Sequence, residues 1–222
     1  MKKNIIIFAA HPDDELLGCG GTIKLLSKKN NVIVVFFTTG ITSRNTKNAN
    51  ISINKLKIHS EKSAKILGIK SIIFLDLQDN KLDTYPRLEI IQRIEKIINN
   101  FKPSKIFTHH FSDLNIDHEI VSKSVITACR PNHFNKYLKQ IYLFETLSNT
   151  EWSIQRKFQP NVYMDISKTI NFKIRAMKEY KTELQKKPMP RSIEIIKTLA
   201  KLRGSEINVN FAESFYLFRE II

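Results

Sequence analysis

Five short apolar runs decide what this chain can fold into. They are "NIIIFAA" (4–10), "NVIVVFFTT" (31–39), "SIIFLDL" (71–77), "KIFTHH" (105–110) and "KQIYLFETL" (139–147). A strand with one wet face alternates polar and apolar residues. Nearly unbroken runs mark strands covered on both faces, as in parallel sheets. Between them lie stretches of helical character. "LLGCGGTIKLLSKKN" points Ile23, Leu25 and Leu26 inward, and "SEKSAKILGI" ends near Gly68. "YPRLEIIQRIEKIINNFKP" spaces Leu88, Ile91, Ile94, Ile97 and Ile98 helically, and "DHEIVSKSVITACR" is helical too. Such alternation means βαβ units, hence an α/β fold whose mostly parallel sheet is flanked by helices. From Trp152 the pattern changes. "ISKTINFKIRAMKEYKTELQKK" reads as one long helix and "RSIEIIKTLAKLRGSE" as another, so a mainly helical C-terminal part is expected. With no Gly/Ser-rich linker and no internal repeat, residues 1–222 are expected to form a single domain.

The formal charge is +15, but its lysines are scattered and no nucleic-acid motif accompanies them. Nucleic acid is therefore not an expected partner. A phosphorylated substrate, an anionic membrane surface and a merely solvated basic face remain in competition. "MKKNIIIFAA" begins like a signal peptide, yet acids follow where a cleavage site should be, so it reads as a buried strand. Two cysteines make no disulfide framework and suit a reducing compartment, and no run reaches the roughly 20 residues of a membrane span. A cytoplasmic location is expected.

"HPDDE" (11–15) follows the first strand and "HHFSDLNIDH" (109–118) the fourth. Both fall at the carboxyl ends of strands, where parallel sheets bind ligands. Three consecutive carboxylates, Asp13, Asp14 and Glu15, repel one another unless a cation joins them or the turn is simply a charged surface. His11 and Asp14 suit a borderline divalent metal such as zinc. A catalytic zinc takes three protein ligands, and His118 offers the third. Asp13 is then left over, placed to act as a general base.

"AAHPDDELLGCGGT" with "DLNIDHEIV" resembles the two signatures of the PIG-L/LmbE-like zinc-dependent N-deacetylases, and the similarity extends through "FETLSNTEW" to the C-terminal segments. The resemblance implies a Rossmann-like sheet, one Zn²⁺ per chain on His11, Asp14 and His118, and Asp13 as catalytic base. Many members carry a histidine three residues before the last ligand, suggested to steady the oxyanion. Here Asn115 stands in its place, and an amide can still donate a hydrogen bond. Met189 likewise stands where a histidine is frequent. Arg44 and Asp79 fall in loops where the family places sugar contacts. His110 is a further substrate-binding candidate, and Asp117 an orienting one. Arg191, Arg203 and Glu213 match C-terminal family positions, with salt bridges within the fold as their expected role.

The function implied is removal of an N-acetyl group from an amino sugar or glycoconjugate, in surface-polysaccharide biosynthesis. Free, nucleotide-linked and lipid-linked sugars all remain open as substrates, as do peripheral membrane contact and homo-oligomerisation. The rivals are an amidase for a non-sugar conjugate and a non-catalytic sugar- or nucleotide-binding module. Among blander readings, Glu15 is a helix-start acid, the "GCGGT" glycines permit close packing beneath the site, and Cys19 is a small core residue. Trp152 either stacks on a sugar or packs at the rim. His59 and His133 are surface residues.

Overall fold

The structure, a computed structural model, describes residues 2–39, 49–131, 136–154 and 157–222, with the backbone alone for 49–52. Arg44 and His133 lie outside the described residues. The first two-thirds alternates as expected: β1 (Asn4–Ala9), α1 (Asp14–Ser27), β2 (Asn31–Thr38), α2 (Ala49–Leu67), β3 (Ser71–Leu77), α3 (Arg87–Phe101), β4 (Lys105–His109), α4 (Ile116–Ala128) and β5 (Gln140–Phe144). The sheet order is β3-β2-β1-β4-β5, all parallel, continued by two strands from the C-terminal part. β1 and β4 are neighbours although most of two βαβ units separates them in the chain. Chain direction across the sheet reverses between them, and the crevice opens there.

The unbroken apolar runs are explained by two cores, one on each face. Ile5, Ile7 and Ala9 of β1 face one, with α1 and two later helices, α5 (Ile170–Met177) and α6 (Ile193–Ser205); Ile6 and Phe8 face the other, with α3 and α4. Ile90, Ile94 and Ile98 form the buried stripe of α3, while Leu88, at its first turn, is exposed. Ile23 is buried in α1, whereas Leu25 stands out at the surface. Gly68 ends α2 with φ 78°, a left-handed conformation that glycine adopts at no steric cost.

The C-terminal part differs from expectation. β6 (Val162–Asp165) and β7 (Ala212–Glu220) join the same sheet, β7 antiparallel to both β5 and β6. Among the described residues there, only α5 (Ile170–Met177) and α6 (Ile193–Ser205) are α-helical. The expected long helix from 166 begins only at Ile170 and stops at Met177; the turn after it carries Tyr180, fully buried with its hydroxyl on Glu15. The glycines after Glu15 have the packing role expected of them. A Cβ on Gly18 would stand 2.2 Å from the Phe144 ring, and one on Gly21 would stand 2.8 Å from Ile166. No helix among the described residues is long and apolar enough to cross a membrane.

Candidate functional site

β1 ends at Ala9, and His11-Pro12-Asp13 turns the chain into α1. The turn is strained. Asp13 has φ 117°, which costs a residue with a side chain about 1–3 kcal/mol and persists only where its surroundings hold it. Two contacts hold it: its N–H donates to Glu15 Oε2 at 3.0 Å, and its Oδ2 accepts from Arg191 Nη1 at 2.9 Å. Glu15, in the first turn of α1 as expected of a helix-start acid, is fully buried and accepts from the Tyr180 hydroxyl at 2.9 Å. The second loop leaves β4. There Asn115 Oδ1 caps α4, accepting from the Asp117 and His118 N–H groups at 2.9 and 3.3 Å, which fixes His118 in the first turn.

These two loops bring three side chains to one point. His11 Nδ1, Asp14 Oδ2 and His118 Nε2 form a triangle with every edge 3.2 Å. Tetrahedral ligands about 2.0–2.1 Å from an ion lie roughly 3.3 Å apart, so the triangle is the right size for one face of such a site. Asp14 is buried and its Oδ1 finds no hydrogen-bond partner among the described residues. An orphaned buried carboxylate oxygen beside two imidazole nitrogens is costly without a cation. The donor set fits a divalent ion.

Each of these two histidines has a carboxylate at its other nitrogen. His11 Nε2 lies 3.0 Å from Asp79 Oδ1 and 3.1 Å from Asp117 Oδ2. Asp117 is itself fixed by the Asn80 and Leu82 N–H groups at 2.7 and 3.1 Å. His118 Nδ1 faces Asp113 Oδ1 at 3.2 Å, and Asp113 Oδ2 accepts from Thr150 Oγ1 at 2.6 Å. Such outer carboxylates orient ligand rings and raise their basicity. His109 stacks on His118, with ring centroids 3.9 Å apart. Its Nε2 accepts from the Ala10 N–H at 2.9 Å, so the proton sits on Nδ1, facing Thr146 Oγ1.

Burial and charge oppose each other here. Burial works against a proton on His118, but Asp14 and Asp113 outweigh it and lift the group to about 9. His11 is raised likewise by Asp117, Asp14 and Asp79 against its burial. Asp14, despite burial, is held well below the usual carboxylate range by His118 and His11. Burial pushes Asp13 up to about 7 against the pull of Arg191, and Glu15 up to about 8 against its hydrogen bonds. Burial drives His109 down to about 3 and His110 to about 4, so both are neutral near pH 7.

A pH dependence follows for the metal-free protein. Above pH 6.5 the folded chain still holds protons that the unfolded chain has released, on Asp13 up to about 7, on Glu15 up to about 8 and on His118 up to about 9, with His11 raised in the same direction. Folding therefore takes up protons, and stability falls as pH rises through this window. Asp14 is charged in both states and contributes nothing, while His109 and His110, neutral when folded, offset a small part of the fall near pH 6.5, where an unfolded histidine is still half protonated. The midpoint of thermal unfolding, measured in chelator, is expected to drop by at least about 5 °C from pH 6.5 to 9. A midpoint that stays flat or rises contradicts this charge arrangement.

The structure thus gathers His11, Asp13, Asp14, Asn115, Asp117 and His118. Two candidates are placed differently from expectation. Asp79 is buried behind His11, on the nitrogen that turns away from the triangle, and so is not presented to a substrate. His110 is also buried. Its ring packs among Phe111, Phe158 and Tyr216 with Nδ1 on Ser112 Oγ, and it borders a separate cavity of about 450 Å³ with Lys157 and Gln159. Neighbouring residues at a strand end point to opposite faces, and the neighbour His109 takes the inward direction. Trp152 is exposed on the turn whose Thr150 holds Asp113. Arg191, Arg203 and Glu213 do form salt bridges, with Asp13, Glu145 and Lys173 respectively. The partner of Arg191 makes it part of the site. Sequence reasoning also passed over Asp113, five residues before His118 within the same polar run, and Tyr180, for which no local signal exists.

Residues 6–129 match the family model described as GlcNAc-PI de-N-acetylase, PIG-L. The uncharacterized deacetylase YaiS of Escherichia coli (strain K12) is 30% identical over 188 residues, spanning 82% of this chain and 92% of the relative. The diacetylchitobiose deacetylase of Thermococcus kodakarensis is 26% identical, spanning 95% of this chain and 81% of the relative. Among solved structures, the N,N'-diacetylchitobiose deacetylase from Pyrococcus horikoshii superposes with a TM-score of 0.80 at 23% identity, over 98% of this chain and 84% of that one. The family match takes in both loops of the site, and with it the chain belongs to the PIG-L family of de-N-acetylases, enzymes that hydrolyse an amide bond.

Proposed function

We propose that this chain is a zinc-dependent deacetylase of N-acetylated amino sugars, with His11, Asp14 and His118 as metal ligands and Asp13 as the base. The observation that carries this reading is the 3.2 Å triangle of ligand atoms with a second carboxylate, Asp13, from the same turn. A divalent ion held there supplies Lewis acidity, acidifying a water and polarising the amide carbonyl. Asp13 accepts the proton of the attacking water at its carboxylate and returns it to the amine as the C–N bond breaks, leaving acetate and a free amino group. Its elevated proton affinity suits both steps near neutral pH. Arg191, which also donates to Ser148 Oγ at 3.1 Å, holds the Asp13 carboxylate in place. Asn115 spends its Oδ1 on the helix cap, so the oxyanion donor there is Nδ2. Asp117, and with it Asp79, orients His11.

Relatives named for diacetylchitobiose support a sugar as the acetylated group. We place the reaction in the cytoplasm, in surface-polysaccharide or other glycoconjugate assembly, with residues 1–222 acting as one domain. The basic chain favours a phosphorylated, nucleotide- or lipid-linked sugar over a free one. Acetate release is to be measured on free and UDP-linked N-acetyl sugars, with metal content determined on the same sample. The linked sugar should be the better substrate, and its kcat/KM should fall with added salt, which screens exposed charges over about 10 Å at 0.1 M. Equal, salt-independent efficiency on both reduces the charge to a solvated face. No acetate from any sugar, with metal bound, overturns the sugar reading itself.

A further inference from the structure

We propose that the buried Lys173–Glu213 pair is a positioning device for the ligand-bearing turn. α1 is not one helix but two pieces meeting at Cys19, whose φ −146° and ψ 25° are not helical. A break of this kind strands the last carbonyls of the first piece and the first N–H groups of the second. The pair meets both. Lys173 Nζ, from α5, donates to the Leu17 carbonyl at 3.0 Å. Glu213, from β7, accepts from the Gly21 and Thr22 N–H groups at 2.9 and 2.7 Å. Nζ and Oε1 of the two side chains are 2.6 Å apart, with 5% and 4% of the side chains exposed. Thr169 Oγ1 adds a bond to the Gly21 carbonyl at 2.9 Å.

A continuous helix needs none of these groups, and a buried ion pair is a poor way to gain stability alone. What the break achieves is direction. Both pieces of α1 pack on the core, through Leu16 and Leu17 before the break and Ile23 after it, and only the first carries Asp14. From Leu17 the connection to the site is a single turn: the Leu16 and Leu17 N–H groups both donate to the Asp13 carbonyl at 3.0 Å. The hydrogen bonds of the two side chains go to Leu17, Gly21, Thr22 and each other rather than to His11, Asp14 or His118, so their action on the site is indirect. Tight glycine packing leaves the break little freedom of its own, since a Cβ on Gly20 would come within 3.1 Å of Lys173 Cγ.

This inference rests on the reading of His11, Asp14 and His118 as metal ligands, and the test separates the two. Full-length wild type, Glu213→Gln and Lys173→Met/Glu213→Gln are compared by three measurements: metal-free thermal midpoint, Zn²⁺ affinity by chelator competition, and the visible spectrum after Co²⁺ loading. Glu213→Gln strands a buried lysine, so both its midpoint and its Zn²⁺ affinity should fall, the affinity at least tenfold. The neutral double variant should recover the midpoint but not the affinity or the Co²⁺ spectrum, because it removes Lys173, the donor to the Leu17 carbonyl. A double variant with wild-type affinity and spectrum, or one that does not fold, assigns the pair to stability alone and overturns the proposal. Wild type that binds neither ion overturns the ligand assignment instead. Should Glu213→Gln fail to fold, the double variant decides alone.

Discussion

His118→Ala is expected to abolish metal binding and deacetylation together. The substitution removes one corner of a three-atom triangle and leaves Asp113 and Asp14 buried without the imidazole between them. Removing an outer partner of a metal ligand costs about 10–100-fold in metal affinity, and removing a ligand should cost more. His118→Ala should thus emerge from dialysis without metal, while Asp117→Asn, which only loosens the hold on His11, should retain it with weakened affinity. Metal content by elemental analysis, alongside acetate release, checks both. One ion per chain retained by His118→Ala would remove His118 from the ligand set.

Asp13→Asn is expected to keep the metal and lose turnover by about 10²–10⁴-fold, the range of general acid–base catalysis. Asp13 and Asp14 are adjacent in sequence but face different partners, Arg191 on one side and the two histidines on the other. Asp14→Asn should therefore lose the metal, and Asp13→Asn should not. The residual rate of Asp13→Asn should also lack the acidic limb of the wild-type pH profile, since the group that must be ionised to accept a proton is gone. Turnover at the wild-type level in a metal-replete Asp13→Asn enzyme would hand the base role to another residue.

The legibility of this site in sequence follows the range of its interactions. β1 to β5 are readable because a strand covered on both faces has to be apolar throughout. β6 and β7 are harder: "VYMD" is four residues long, and "AESFYLFRE" mixes a buried half with a wet one. The proposed ligands could be found because each sits in, or in the first helical turn after, a loop that directly follows a strand. Their supports are mostly distant. Arg191 reaches Asp13 across 178 positions and Tyr180 reaches Glu15 across 165, and nothing local marks either. His109 and His110 show another limit. Only the strand's facing decides which histidine meets the site, and a pair of identical neighbours does not reveal it. Asp79 looked like a substrate contact because its loop lies at the right sheet edge, and the edge alone cannot distinguish the front of a ligand from its back.

The adjacency of β1 and β4 has a kinetic consequence. His11 and His118 are 107 positions apart and become neighbours only through the pairing of those two strands. Closing a loop of roughly a hundred residues costs about 4 kcal/mol in chain entropy, so this pairing comes after the local hairpins of strand and helix rather than before them. The unfolded chain holds no preformed pocket for an ion. Refolding should therefore run at a rate indifferent to zinc, and the ion should act afterwards as a clasp that slows the opening of the sheet's centre. The chain is therefore expected to gain its metal as the final step of folding, which would make the lifetime of the native state a function of how much metal its surroundings supply.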